Sequence, residues 1–270
     1  MDRKPPGNGG EATRGSALVS SRRSGYTESV PKTMTPPHLI KSNERLIVAL
    51  DVPTPAEARK LVTELDGVVS FFKVGMELQL AAGPDFVRQL IAEGKKVFLD
   101  SKFLDVPETV KRAVEQVVRL GVSFLTVHES GKTVPAAVEA SRGSSLQILA
   151  VTVLTSFDAA DIQGLGFQCS PGELVLHRAK KAMEAGCHGV VASGLEARKI
   201  REMAGDRLLI VTPGIRPAGA STDDHQRSST PAGAIRAGAD YLVVGRPIRD
   251  AADRRQAAQG IVDEIGAAMG

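Results

Sequence analysis

The stretch KKVFLDSKFLDVPETV, residues 95–110, places a short apolar strand, a group of charged residues and the start of a helix in direct succession. The run VFL is typical of a strand buried in a parallel sheet. Asp100, Lys102 and Asp105 interrupt the apolar sequence, and Pro107 suits the first turn of a helix. Ionisable side chains are rarely buried unless they are paired, so these charges indicate either a structural network or a reaction site.

Seven further apolar runs alternate with helical patterns from residue 45 onward. Gly121, Gly186 and Gly238 each lie between a helical pattern and the next run, as helix-terminating glycines do. The seven runs are RLIVALD (45–51), VSFFKVG (69–75), SFLTVHE (123–129), LQILAVTVLT (146–155), GVVAS (189–193), LLIVTPGI (208–215) and YLVVGRPI (241–248).

Eight strands that alternate with helices predict an α/β fold with a parallel sheet. Eight such units in about 225 residues fit a (β/α)8 TIM barrel, which often forms one domain at this length. A doubly wound open sheet is the alternative, but its G-x-G-x-x-G fingerprint is absent after the first strand, which leads into ALDVPTPAEA. We therefore predict one barrel domain over residues 44–270. Residues 1–43, rich in Pro, Gly, Ser, Thr and Arg, are predicted to form a disordered tail.

The composition argues against several classes of function. The net charge is only +3, and no basic stripe is interleaved with aromatic residues, so we predict no nucleic acid partner. No apolar run is long enough to span a membrane. Cys169 and Cys187 lack the spacing of metal ligands, which predicts a reducing compartment without disulfides or structural zinc. These features favour a cytoplasmic protein.

The carboxyl ends of the strands are where barrel enzymes carry their active sites. Asp100 and Lys102 are two residues apart, so on a regular strand both side chains lie on one face. Asp51 and Lys73 end the two preceding strands and would meet them there. A structural ion-pair lattice is the alternative, but so many ionisable groups at strand ends favour a reaction site. A lysine between acids stays protonated, which suits a proton donor rather than a Schiff-base lysine.

The last two strands end in a pattern typical of a phosphate site. Gly245 would let a backbone N–H approach a phosphate closely, and Arg246 can bind one through two hydrogen bonds. The polar segment of residues 216–230 is long enough to close over the site as a lid. An ordinary exposed loop with a surface arginine is the alternative.

The combined motifs resemble those of orotidine 5′-phosphate decarboxylases. LDSKFLDVPETV fits the D-x-K-x-x-D-x-x-x-T pattern of that family, and VALDV, FFKVG, AVTVLTS, TPGIRP, DHQR and VGRPI follow the expected order. The resemblance extends over residues 44–265 and is to the bacterial branch, which has no fused phosphoribosyltransferase domain. It implies decarboxylation of orotidine 5′-monophosphate (OMP) to uridine 5′-monophosphate (UMP), the last step of pyrimidine biosynthesis, with no metal or other cofactor.

The resemblance also implies which residues take part in the reaction. Lys102 would protonate C6 of the pyrimidine as carbon dioxide leaves, and Asp100 would lie beside the substrate carboxylate and hold the lysine. Lys73 would complete the charge network. Asp105 and Thr109 would reach the active site of a partner subunit, which implies a homodimer with shared sites.

The remaining implied contacts hold the substrate. Asp51 and Lys73 would contact the ribose hydroxyls, and Thr155 would bind the pyrimidine. Gln226, in the predicted lid, would bridge the pyrimidine and the phosphate. The residues that would hold or support the phosphate are Gly245, Arg246 and Arg216.

Two other functions stay open at this point. A Mg²⁺-dependent decarboxylase or aldolase of the same barrel superfamily, acting on a keto-sugar phosphate, also carries D-x-K-x-x-D. Thr109, Thr155 and the GIRP…HQR segment favour the nucleotide substrate. A catalytically inactive, phosphate-binding dimeric scaffold is the second alternative, and the complete set of charged residues argues against it.

Overall fold

Eight parallel strands close into a barrel in which each strand pairs with the next along the chain and the last pairs with the first. The structure, a computed structural model, describes residues 1, 39–217 and 229–270. The predicted (β/α)8 barrel is therefore confirmed. The strands are β1 (Leu46–Ala49), β2 (Phe71–Gly75), β3 (Lys96–Phe103), β4 (Phe124–His128), β5 (Gln147–Val151), β6 (Gly189–Val191), β7 (Leu209–Thr212) and β8 (Tyr241–Val244).

Helices connect successive strands and surround the barrel. Within the described part of the chain, none of them is both long enough and apolar enough to cross a membrane. A 3₁₀ turn (Gly205–Arg207) precedes β7. The helices are α1 (Ser42–Arg45), α2 (Pro55–Glu64), α3 (Met76–Ala92), α4 (Pro107–Leu120), α5 (Thr133–Ser141), α6 (Ala159–Gly164), α7 (Pro171–Glu184), α8 (Gly194–Ala204), α9 (Pro231–Arg236), α10 (Arg246–Arg249) and α11 (Arg254–Met269).

The helix boundaries follow from local capping chemistry. The Thr54 side chain accepts a hydrogen bond from the backbone N–H of Glu57 at 3.2 Å, which satisfies one of the unpaired donors of the first turn of α2. Gly121 ends α4 with a φ of 80°, a conformation that glycine adopts without steric cost. These ends set the short connections that return the chain to the next strand.

An aromatic cluster fills the end of the barrel opposite to the strands' carboxyl ends. Phe71, Phe124 and Tyr241 are the first residues of their strands, and their rings pack with centroids 5.0–5.9 Å apart. Phe98 packs against Phe124, and Ile40, which is only 2% exposed, belongs to the same cluster. Packed structure is therefore present before residue 44, because Ile40 is buried within this cluster.

Both cysteines are free thiols. Cys187 is buried two residues before β6, where its thiol donates to the carbonyl oxygen of Ile148 at 3.1 Å, and burial raises its pKa to about 11. A thiol that is inaccessible and protonated at neutral pH is unreactive, so Cys187 serves in packing.

We expect Gly189→Ala to destabilise the barrel by about 1–3 kcal/mol, the usual cost of overpacking a core. A Cβ on Gly189 would lie 2.7 Å from the carbonyl oxygen of Leu209 and 2.9 Å from Cδ2 of Leu149. Gly260→Ala on α11 is the matched control, because no atom of the described residues outside its own stretch of helix lies within 4 Å of the place its methyl group would take. This variant should be more stable by about 0.5–1 kcal/mol. Urea unfolding followed by circular dichroism measures both, and equal stabilities would contradict the packing described.

Candidate active site

The carboxyl end of β3 departs from regular strand geometry where its charged residues begin. Leu99 pairs with Leu125 of β4, but Phe103 pairs with Val127, so the register shifts between these two positions. Lys102 has a φ of 50°, and it is the one non-glycine residue with positive φ in the described part of the chain. That conformation costs about 1–2 kcal/mol for an L-residue, and such strain collects at functional sites.

The side chains of Asp100 and Lys102 line the same cavity, as predicted, but the backbone between them is not the regular strand that the prediction assumed. The prediction rested on the alternation of a regular strand. In the structure the strand is interrupted by the register shift, and the backbone of Lys102 turns into the left-handed region. The shared direction therefore depends on this local irregularity as well as on the two-residue spacing.

Four ionisable side chains from three neighbouring strands form an alternating chain of charges. Lys73 Nζ lies 2.9 Å from Asp51 Oδ1 and 3.4 Å from Asp100 Oδ2. Lys102 Nζ lies 2.9 Å from Asp100 Oδ1. Lys73 and Asp100 are the inner pair, with 11% and 13% of their side chains exposed. Each buried charge thus contacts at least one group of opposite sign, which offsets its loss of hydration.

The environment of Asp100 favours its ionised form. Burial alone would raise the pKa of this carboxyl group. The charges of Lys73 and Lys102, together with hydrogen bonds from Lys102 and Thr126, outweigh burial and lower the pKa below its ordinary value. Asp100 is consequently an anion at neutral pH, held between two ammonium groups.

Thr126 on β4 is part of this arrangement, and sequence reasoning missed it. Its hydroxyl donates to Asp100 Oδ1 at 2.9 Å and accepts the backbone N–H of Lys102 at 3.0 Å. Thr126 lies two residues after Phe124, whose side chain faces the barrel interior, so strand alternation places Thr126 on the same face. A polar residue at an interior position is the sequence feature that could have identified it. Threonine is common in strands, which is why that signal was not distinctive.

Gly75 at the end of β2 provides space for the chain of charges. A Cβ at this position would lie 3.1 Å from Asp51 Oδ1 and 3.3 Å from Lys73 Nζ. These distances are short for a methyl group, so a larger residue would push the two side chains apart. The glycine of the FFKVG motif therefore has a steric role that composition alone does not reveal.

The charged residues form one wall of a cavity of about 440 Å³ at the carboxyl ends of the strands. The opposite wall is apolar and includes Val151, Val153 and Val191. A pocket with an apolar wall and a few convergent polar groups is typical of a small-molecule site. Eight predicted site residues line it together: Asp51, Lys73, Asp100, Lys102, Thr155, Arg216, Gly245 and Arg246.

Arg249, at the end of α10, also lines the cavity and was not predicted. Its Nη1 donates to the backbone oxygen of Asp51 at 2.9 Å, while Nε and Nη2 bind both carboxylate oxygens of Asp250. Hydrogen bonding to Asp250 raises the pKa of Arg249. Arg249 thereby joins the end of β1 to the segment after β8, where Gly245 and Arg246 lie.

Asp105 and Thr109 do not line this cavity. Both are exposed, Asp105 just before α4 and Thr109 in its first turn, and Asp105 Oδ1 accepts the backbone N–H of Val106 at 2.6 Å. Their neighbours Leu104 and Val106 are 58% and 62% exposed. Gln226, the remaining predicted contact, lies outside the residues that the structure describes.

The fold and the cavity define a (β/α)8 barrel whose site for a small charged molecule lies at the carboxyl ends of its strands. The sequence model of the "Orotidine 5′-phosphate decarboxylase / HUMPS family" matches residues 44–261, and the chain belongs to this family. The predicted family is therefore confirmed.

Three individual relatives carry the name of the decarboxylases of that family. Two curated proteins named orotidine 5′-phosphate decarboxylase are each 52% identical to this chain: one from Nitrobacter winogradskyi, over 84% of this chain and 95% of its own length, and one from Afipia carboxidovorans, over 83% and 96%. The crystal structure of orotidine 5′-phosphate decarboxylase from Lactobacillus acidophilus is 36% identical, with a TM-score of 0.73, and the match covers 82% of this chain and 98% of that one.

We expect Asp100→Asn to lower the free energy of unfolding at pH 7 by about 1–3 kcal/mol, because two lysines lose their shared anion. The folded-state pKa of Asp100 lies below its unfolded value, so its contribution is present above about pH 4 and is lost as the pH falls through the folded pKa. The stability difference between wild type and variant should therefore shrink in acid. Urea unfolding from pH 7 to pH 3 tests this, and a difference that stays constant would refute it.

Proposed function

We propose that this protein decarboxylates OMP to UMP without a metal or other cofactor, as a carboxy-lyase of pyrimidine biosynthesis. The observation that carries the proposal is the alternating chain Asp51–Lys73–Asp100–Lys102 at the mouth of the cavity. The proposal is also supported by the two relatives at 52% identity, both of which are named orotidine 5′-phosphate decarboxylase.

The chemistry requires a fixed positive charge beside the reacting carbon. When the bond between C6 and the carboxyl group breaks, carbon dioxide leaves and the electron pair stays on C6. The Lys102 ammonium is proposed to stabilise that charge and to give its proton to C6; solvent then reprotonates the amine. Asp100 holds Nζ at 2.9 Å before the reaction starts, so little reorganisation is needed as the charge develops.

The rest of the cavity is proposed to bind the nucleotide. Asp51 and Lys73 would contact the ribose hydroxyls, and Thr155 would contact the pyrimidine beside the apolar wall. Gln226, from the segment between β7 and α9, would bridge the base and the phosphate. Binding energy from the remote phosphate can then be used to orient the ring and exclude water. The residues proposed for the phosphate are Gly245, Arg246 and Arg216, and Arg249 lines the same cavity.

We further propose a homodimer in which Asp105 and Thr109 of one subunit complete the site of the other. Both residues are exposed and lie outside the lining of their own cavity, beside the exposed side chains of Leu104 and Val106. Met76 and Leu80, at the start of α3 after the neighbouring strand β2, are 59% and 89% exposed. Exposed apolar side chains grouped with polar ones are typical of a protein interface, and a second copy would cover them. The cytoplasm is the proposed compartment.

A keto-sugar phosphate is the competing substrate, because the family description joins orotidine 5′-phosphate decarboxylases with HUMPS members. The names of the two curated relatives favour the nucleotide. Loss of ultraviolet absorbance of OMP in the presence of EDTA distinguishes the two proposals. Loss of OMP absorbance that continues in EDTA supports the metal-independent reaction. Unchanged OMP absorbance, together with Mg²⁺-dependent turnover of a keto-sugar phosphate, supports the alternative.

We expect Lys102→Ala to abolish turnover of OMP while leaving a folded protein, because the proposed proton donor is removed but the buried Lys73–Asp100 pair stays. Absorbance at saturating OMP, with circular dichroism to check folding, measures the effect. Lys60→Ala is the control, since Lys60 is 72% exposed on α2 and does not line the cavity. Near-normal turnover by the Lys102 variant would refute the mechanism.

We expect activity to return when inactive Lys102→Ala and Asp105→Ala chains are mixed and exchange subunits. A mixed dimer would hold one site with both residues intact, so about a quarter of wild-type activity is expected from an equal mixture of freely exchanging dimers. Lys102→Ala mixed with Lys73→Ala is the control, because both residues belong to the same half of a site and no intact site can form. Without recovery, once native mass spectrometry shows mixed dimers, the shared site would be disproved.

A further inference from the structure

Thr126 is fully buried beneath the active-site cavity and does not line it. Its hydroxyl nevertheless contacts two parts of the proposed machinery, the carboxylate of Asp100 and the backbone of Lys102. We propose that Thr126 is a positioning residue that holds Asp100 and the positive-φ backbone of Lys102 in their reactive arrangement. This inference rests on the proposed decarboxylation, to which it adds a residue that never touches the substrate.

The Lys102 backbone needs a partner that a regular ladder does not provide. Between Leu99 and Phe103 the pairing of β3 with β4 shifts register, and the N–H of Lys102 donates to the Thr126 side chain, to Oγ1 at 3.0 Å. A buried backbone N–H must be satisfied, and a left-handed backbone persists only where its surroundings hold it. The threonine hydroxyl meets both requirements at once.

The same hydroxyl fixes the carboxylate. A hydroxyl has a single hydrogen, and here it is donated to Asp100 Oδ1 at 2.9 Å, which leaves the oxygen lone pairs to accept from Lys102. Asp100 Oδ1 also accepts from Lys102 Nζ at 2.9 Å. Lys102 is consequently tied to Thr126 at both ends, directly through its backbone and indirectly through Asp100. This closed ring of hydrogen bonds determines where the ammonium group stands.

The arrangement predicts how loss of the hydroxyl would appear in kinetics. Because Thr126 is 0% exposed, it cannot contribute to substrate binding by contact. Its removal would free the Asp100 carboxylate to rotate and the Lys102 backbone to relax, so the ammonium group would be displaced from C6. Interactions that act only in the transition state change kcat, whereas uniform binding changes KM.

The test compares Thr126→Val, which keeps the shape and removes the hydroxyl, with Thr126→Ser, which keeps the hydroxyl. For Thr126→Val we expect kcat to fall about 10- to 100-fold with KM changed less than about threefold, as for loss of a hydrogen bond to a charged group. Thr126→Ser should recover most of kcat. Thr152→Val is the matched control, because the buried Thr152 hydroxyl donates only to the backbone oxygen of Val191, at 2.9 Å; its kcat should stay near wild type.

Two further readouts separate positioning from a general packing role. Loss of a donor to Asp100 should raise the pKa of that carboxyl group, so the acid limb of the kcat–pH profile should move to higher pH in Thr126→Val. A crystal structure of that variant should show Lys102 with a negative φ, whereas Thr126→Ser should retain the positive value. If Thr126→Val does not fold by circular dichroism, Thr126→Ala replaces it in each measurement.

The inference is overturned if Thr126→Val turns over OMP within about twofold of wild type, or if Lys102 keeps its positive φ in the variant. It is equally overturned if kcat falls but serine fails to restore it and the acid limb does not move. An inactive wild type would instead refute the proposed function, and the crystal structures would still decide whether the hydroxyl holds the Lys102 backbone.

Discussion

The buried carboxylate of Asp100 is the constraint on which the rest of the site depends. With 13% of its side chain exposed, it can exist as an anion only if cations and hydrogen-bond donors replace the lost water. Lys73 on β2, Lys102 on β3 and Thr126 on β4 supply those partners. The pairing order β2–β3–β4 brings them within reach, so the topology of the barrel and the ionisation of one carboxyl group are linked.

The apolar packing of the barrel explains why the charges are confined to one end. Phe71, Phe124 and Tyr241 fill the opposite end, and Phe98 reaches the floor of the cavity only two residues before Asp100. On β3, the aromatic core and the charged site are therefore separated by only two residues, from Phe98 to Asp100. A floor of this kind excludes water from below, which strengthens the electrostatic interactions among the groups above it.

The parts of the site that the sequence could predict are those set by patterns within one strand or at strand ends. Strands that are buried on both faces leave apolar runs in the sequence, so the eight-stranded barrel could be predicted. The carboxyl ends of parallel strands converge, so the meeting of Asp51, Lys73, Asp100 and Lys102 could be predicted as well. The register shift in β3 could not be predicted, because side-chain alternation presumes a regular strand.

Other features depend on contacts between distant segments, which no local pattern records. Arg249 binds the backbone of Asp51 from the opposite end of the chain, and Gly75 matters only because two side chains meet above it. Ile40 was assigned to a tail by the composition around it, yet it packs into the aromatic cluster. In each case the deciding quantity is a three-dimensional distance rather than a residue type.

The segment from Asp100 to Thr109 includes the register shift in β3, and its two ends bear on the charge balance of the proposed enzyme. Lys102 lines the cavity of its own subunit, whereas Asp105, three residues later, is exposed beside apolar residues. One chain therefore brings two carboxylates and two ammonium groups to this wall of the cavity, a set whose formal charges cancel. In the proposed dimer the second chain would add the Asp105 carboxylate to this set, and Lys102 would gain a second partner of opposite charge. Association of the subunits would then complete the charge network through a single carboxylate.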